Sequence, residues 1–464
     1  MVNPRPFAIE LRRSSAATAA TLFTVITLVL FFAMTGPWVH GSGAWNLQWN
    51  GLVTWQRNML VYGWPLVLGG GALFGLRDSR SKVSELLATT PHPVTWRALP
   101  QAGALVLVMV AGYAVVFAAG AVQVIGNNGL FTASWVPTFL VGVLVVAGGA
   151  LLGMGLGRAV PSALTPPIVA VVGFVVSVAF MLVSSTLGPE TPALPNSVTL
   201  LGPVLEGTRN TFGAVTGRVD LGQAFWFAGM AVTGFLLLVA KNLRAKLLSL
   251  VPILLGAAIA VPLFPAVSAQ NFEFEPVAVA LVCDDHGARV CLTKAHESLL
   301  GVVVPPAREA LRQLEKVPGG PTAVEELPAP QTLYGKSPVP AGVVPIDFDD
   351  FDLGGGTKVT TDPERIRLYL LAGAGTRSCV RESYSDARER AARTVAAAWA
   401  AGEFKPLRPN YYDAAQVDPL AESAWRTFSA LPAGVQRDRI VALRAAASSC
   451  TGDLLTILTG EPAR

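Results

Sequence analysis

Seven apolar runs, at about 17 to 36, 59 to 76, 102 to 125, 134 to 157, 166 to 187, 223 to 240 and 247 to 268, constrain this chain more than any other feature. At 1.5 Å of rise per residue, about 20 apolar residues cross the roughly 30 Å hydrocarbon layer of a bilayer. With 52% hydrophobic and 14% charged residues and a mean hydropathy of +0.49, the chain reads as a polytopic α-helical membrane protein of seven spans. The first run is too long for a signal-peptide core and lacks a convincing small-residue cleavage site, so it is expected to be retained.

Charge divides the chain in two. Residues 1 to 268 carry 14 Lys/Arg and 6 Asp/Glu, whereas residues 269 to 464 carry 21 and 25. Densities so different fit two solvents: a membrane part, and an α+β domain large enough for its own core. Among the loops between the runs, one set holds Arg5, Arg12, Arg13, Arg77, Arg80, Lys82, Arg97, Arg158, Lys241, Arg244 and Lys246, and the alternate set only Arg57, Arg209 and Arg218. The bias puts the N-terminus inside and, after seven spans, the C-terminal domain outside. All four cysteines, Cys283, Cys291, Cys379 and Cys450, fall in that domain, which independently favours an oxidising compartment. Trp38, Trp45, Trp49, Trp55, Trp135 and Trp226 lie in the first outer loop or at span ends and are expected to form an aromatic belt. No charge is read inside any run, which argues against an ion-driven transporter.

Between the second and third runs stands a charged island, Leu76 to Arg97. At helical spacing Val83, Leu86 and Leu87 share a face, and Pro91 and Pro93 stop the helix, giving a short helix across the inner membrane face. The three arginines at residues 3 to 14 suit a second interfacial helix. The island resembles the segment that type-2 ABC transporter permeases carry between spans two and three, Arg-x-x-x-(Gly/Ser)-x-x-x-Glu-Leu-Leu-x-x-x-Pro. Arg77, Ser81, Glu85, Leu86, Leu87 and Pro91 occupy its places, although Ser81-Lys82-Val83 stands where many members have Gly-Thr. The apolar patch Val198 to Leu205, preceded by Pro189, Pro192 and Pro195, lies where that family has short re-entrant helices before span six.

The resemblance covers residues 1 to about 245. It implies a permease subunit of an ABC exporter, with the island as the helix that couples to a separate ATPase subunit, and a second permease copy in a homodimer or heterodimer. The expected domains are a permease-like part at 1–246, a seventh span at 247–268 and an extracytoplasmic α+β domain with disulfides at 269–464.

In the C-terminal domain the alternation from Phe272 to Cys283, then Asp284-Asp285-His286-Gly287, then Ala288 to Leu292 predicts a β-hairpin turning at Asp285–Gly287. Helices are expected over 294–316, broken at Pro305-Pro306, and over 362–373, 384–402, 418–430 and 434–458, with short strands in the Pro/Gly-rich stretch 321–360. Cys283, His286, Cys291 and His296 are zinc-ligand types, but two cysteines bracketing a hairpin outside the cell are more simply a disulfide. By elimination Cys379 pairs with Cys450, a long closed loop contributing about 4 kcal/mol in the chain-entropy model. The acidic cluster from Asp347 to Asp352 lacks EF-hand spacing and reads as a solvated strand edge.

Gly335-Lys336-Ser337 resembles the end of a Walker A loop, but Pro330 replaces the first glycine. Gly153-x-Gly155-x-Gly157 sits inside an apolar run and reads as helix packing. Neither a His-Glu-x-x-His zinc motif nor a Gly-x-Ser-x-Gly nucleophile with a partner histidine is present. No enzyme activity, catalytic residue, metal, cofactor or nucleic-acid partner is therefore expected. The rival to transport is a membrane-anchored extracytoplasmic binding or sensor protein.

Overall fold

The computed structural model describes residues 15–35, 45–77, 94–186, 194–205, 211–328, 339–348, 361–379, 387–407 and 414–460. They fall into two compact units, the first built from the N-terminal helix with residues 45–208 and 213–273, the second mainly from residues 274–464. The helix at 251–263 belongs to the first unit with the apolar helices before it.

The first unit contains α1 (Ser15–Thr35), α2 (Trp49–Asn58), α3 (Leu60–Gly75), α4 (Val94–Gly126), α5 (Trp135–Ala159), α6 (Thr165–Thr186), α7 (Gly217–Val239), α8 (Leu243–Leu248) and α9 (Val251–Leu263). Among the described residues six apolar segments are long enough to cross a membrane, α8 and α9 together forming the last at Leu243–Leu263. This is the architecture of a polytopic helical membrane protein. The expected second span is the exception: α3 has 16 residues, about 24 Å of helix, and α2 leads into it with only Met59 between them. Leu254, Leu255 and Ile259 on α9, and Ile168, Val171, Val172 and Val175 on α6, stay exposed, as side chains facing lipid would.

Glycine decides how closely the central helices approach. A Cβ on Gly71 would lie 2.3 Å from the carbonyl of Ala150, and one on Gly75 2.1 Å from that of Met154. On α5, Gly153 and Gly157 meet the carbonyls of Leu68 and Ala72 at 2.2 Å in the same sense. Gly155 points the other way, 2.3 Å from the carbonyl of Gly234 on α7. Successive residues of a helix are turned by about 100°, so this alternating glycine run gives α5 two backbone-close faces. In lipid, where burial supplies no force between helices, such close packing supplies the attraction instead.

Trp45, expected in an aromatic belt, is instead buried with Phe31, Leu52 and Val116, and Trp49 stacks on Trp135 at 5.6 Å. Trp38 lies outside the described residues.

In the second unit, β3 (Leu281–Asp284) pairs antiparallel with β4 (Val290–Thr293), placing Cys283 opposite Cys291. The four-stranded sheet continues through β5 (Ala323–Glu326) and β6 (Val343–Ile346), both joined in parallel. The hairpin starts later than expected, because β2 (Phe272–Phe274) lies in a separate two-stranded sheet with β1 (Gly213–Val215) and Pro276–Val279 forms a helical turn. Gly287 takes the positive φ of 122° that the hairpin turn requires.

Helix α10 (Leu300–Leu314) runs unbroken through Pro305 and Pro306, contrary to the break expected there. Proline forgoes a backbone hydrogen bond, but Val303, Val304, Ala307, Ala310, Leu311 and Leu314 bury a continuous stripe that outweighs the loss. Helices α11 (Pro363–Leu371), α12 (Ala387–Ala401), α13 (Ala414–Ser429), α14 (Ala433–Ser449) and α15 (Leu454–Thr459) follow. Their core joins Val290, Val324 and Ile346 of the sheet to Val395, Phe428, Ile440 and Leu458 of the helices.

Replacing Gly153 by Val should destabilise the α3–α5 contact by at least the 1–3 kcal/mol typical of overpacking, read as a lowered Tm of the detergent-solubilised chain. Gly126→Ala, where a Cβ meets nothing within 4 Å, should leave Tm unchanged. In the second unit, Arg367 hydrogen-bonds both carboxylate oxygens of Glu364 and Lys405 joins them, holding Glu364 down at about 2. A carboxylate depressed in the folded state stabilises above its unfolded pKa and loses that contribution as pH falls through the folded value. Denaturant midpoints should therefore drop between about pH 4.5 and pH 2, less steeply in Arg367→Gln.

Candidate functional site

The charge that α2 carries is the most deeply buried in the first unit. Trp49, Leu52 and Val53 give α2 an apolar edge at helical spacing, and Asn50, Thr54, Gln56 and Arg57 are buried with it. Arg57 is 0% exposed, although the sequence counts it among loop residues. Its Nη2 donates to Gln223 Oε1 at 3.0 Å and to the Pro203 carbonyl at 3.4 Å, while Nε and Nη1 have no partner among the described residues.

Asp220 is the second buried charge, in the first turn of α7. That helix begins at Gly217, six residues before the apolar run read at 223, so a residue assigned to a loop becomes part of a buried helix end. Thr138 donates to Asp220 Oδ2 at 2.9 Å, and Oδ1 is unpartnered among the described residues. Arg57 and Asp220 interact electrostatically, without an ion pair between them among the described residues. Tyr113 completes the cluster: its carbonyl accepts from Gln56 Nε2 at 2.7 Å, and its buried hydroxyl lies against Gly142, one turn along α5 from Thr138. Both charges lie outside the apolar runs read from the sequence, Arg57 near the end of α2 and Asp220 in the first turn of α7.

The cluster fastens the segment at 196–205. Gln223 Nε2 donates to the Leu200 carbonyl at 2.9 Å, Trp226 Nε1 to the Leu201 carbonyl at 2.8 Å, and Asn58 Nδ2 to the Leu205 carbonyl at 3.4 Å. At the other end, Asn196 and Asn271 exchange amide hydrogen bonds at 2.8 and 3.0 Å. Carbonyls left free where a short helical turn ends thereby find donors on α2 and α7. Chemically the arrangement sets the Tyr113 hydroxyl, unpartnered among the described residues, among the two charges. It offers a desolvated cation, a desolvated carboxylate and several unmet hydrogen-bonding groups.

Of the residues expected to couple to an ATPase, Arg77 is described and places its guanidinium 6.0 Å from the centre of the Phe74 ring. Ser81, Glu85, Leu86, Leu87 and Pro91 lie outside the described residues, as do the interfacial segment at 3–14, Gly335 to Ser337 and Asp349 to Asp352. The cysteines are brought together in the expected pairs, Cys283 with Cys291 at an S–S distance of 2.06 Å and Cys379 with Cys450 at 2.16 Å. His296, weighed as a metal ligand, is buried with Nδ1 2.5 Å from Glu326 Oε1. The other oxygen of Glu326 accepts from the Thr293 amide and hydroxyl, each at 2.8 Å. His286 stands in the exposed β3–β4 turn.

No protein-family model, no curated protein and no solved structure matches this chain.

Arg57→Met should lower stability by about 1.5–3 kcal/mol, the range for hydrogen bonds from a charged group such as those to Gln223 and the Pro203 carbonyl. The double variant Arg57→Met/Asp220→Asn should recover part of that loss. Thermal unfolding of the four proteins of this cycle in detergent measures the coupling; strict additivity would mean that the two charges do not depend on each other.

Proposed function

We propose that this chain is the membrane permease subunit of an ABC exporter. It works in the plasma membrane with its N-terminus in the cytoplasm and its C-terminal unit outside, as one of two permease copies driven by a separate ATPase. The observation that carries the reading is the fastening of residues 196–205 to α2 and α7 by Gln223, Trp226, Asn58 and Arg57. A short helical segment just before the sixth apolar helix of the chain is what the resemblance to type-2 permeases implies at that place. The island at 77–97, which matches the coupling motif at Arg77, Ser81, Glu85, Leu86, Leu87 and Pro91, supplies the second support.

In this reading the chain does no chemistry of its own. Two ATPases closing on ATP move two permease copies, and the force enters through the island. Glycine-close contacts between α3, α5 and α7 let such a displacement travel through the bundle as a rigid movement rather than being lost in soft side-chain packing.

Glu85→Lys, Leu86→Asp and Leu87→Asp should each reduce co-purification of the ATPase about tenfold or more, since a buried Leu contributes roughly 1.5–3 kcal/mol. Membrane insertion and the yield of the chain should stay at the wild-type level. Wild-type ATPase recovery and transport-coupled hydrolysis in all three would overturn the coupling role and favour the anchored binding or sensor protein.

A further inference from the structure

The second unit contains a buried arginine with one guanidinium nitrogen left unsatisfied among the described residues. Arg393, on α12, is 5% exposed, and its Nη1 is buried with no hydrogen bond among the described residues. The carboxylate one turn before it, Glu389, is committed elsewhere: Oε1 accepts from the Ser378 hydroxyl at 3.1 Å and the Cys379 amide at 2.8 Å. No ion pair joins Arg393 to any carboxylate among the described residues.

Arg393 is aimed at the turn that follows α11. There Gly373, Ala374 and Gly375 take φ values of 60°, 57° and 78° in succession. The missing side chain of Gly373 leaves the guanidinium room, since a Cβ there would stand 2.9 Å from Arg393 Nη1 and 2.6 Å from Thr376 Oγ1. A second guanidinium reaches the same turn from α14, with Arg444 Nη1 3.5 Å from the Ala374 carbonyl, and it too has no carboxylate partner among the described residues. Arg444 and Thr376 are only partly buried, so the turn is open to solvent on the side where they stand. The Cys379–Cys450 pair ties the segment after the turn to the end of α14, holding the two arginines around it.

Two guanidinium groups that converge on one turn, one of them desolvated and unsatisfied, form a receptor for an oxyanion. The planar fork of a guanidinium matches the two oxygens of a carboxylate. We propose that the second unit binds a small carboxylate between Arg393 and Arg444 at the Gly373–Thr376 turn. The carboxylate would lie in the Arg393 fork, with Arg444 and the Thr376 hydroxyl at its solvent side. This site is independent of the transport reading and stands whether or not the chain couples to an ATPase.

The test is a titration of the full chain in detergent with sodium acetate, propionate and inorganic phosphate at constant ionic strength, followed by Tm and calorimetry. Saturable binding of acetate and propionate is expected, weakened about tenfold or more in Arg393→Gln, as loss of a charge-assisted hydrogen bond implies. Arg444→Gln alters a partly exposed side chain and should weaken binding without loss of the fold, which keeps the proposal testable if Arg393→Gln fails to fold. Absence of saturable carboxylate binding, equal binding by wild type and Arg444→Gln, or tighter binding of phosphate than of either carboxylate would overturn it.

Discussion

Desolvation of the Arg57 guanidinium is the constraint on which the membrane unit depends. A cation with no access to water is strongly disfavoured unless dipoles and counter-charge replace its hydration. Here the replacement comes from α7, through Gln223 and the field of Asp220, and from the Pro203 carbonyl in the segment before it, all far from Arg57 in the chain. A loop, a helix end and a polar helix that hydropathy alone leaves unconnected are thereby made to meet. Gln223, which accepts from Arg57, also donates to the Leu200 carbonyl, and Trp226 one turn on donates to that of Leu201, so the segment at 196–205 and the arginine stabilise each other.

Around that cluster the bundle is assembled by shape. The glycines of α3, α5 and α7 bring backbones to distances that any side chain would forbid, and close backbone approach is the main attraction left to helices already surrounded by lipid. Polar bonds choose which ends meet, and glycines set how near the shafts lie. The second unit works under the opposite rules, with a mixed four-stranded sheet, amphipathic helices and a continuous apolar core of the kind water enforces.

Most of the apolar helices were legible because a bilayer demands length and hydropathy, two properties any window along the chain can read. The polar cluster was not. Arg57 sits in a stretch whose Trp49, Leu52 and Val53 spacing signals a helix, but whose Asn and Gln content resembles a loop. Asp220 lies beyond the edge of its apolar run, although α7 includes it. The hairpin and its opposed cysteines followed from local alternation and a turn. The Glu326 partner of His296 lies 30 residues away at the end of β5, and no local pattern announces such a pairing. Pro305 and Pro306 misled for the reverse reason, since a local rule against proline yielded to a buried stripe that only the tertiary structure reveals.

Hydrogen exchange at the backbone amides of residues 196–205, compared between wild type and Arg57→Met in the intact detergent-solubilised chain, tests the central dependence most directly. If the buried guanidinium holds this segment, its loss opens the turn, and exchange there should accelerate about tenfold or more, while the amides of α10 in the second unit keep their wild-type rates. Unchanged protection of 196–205 in the variant would contradict the account.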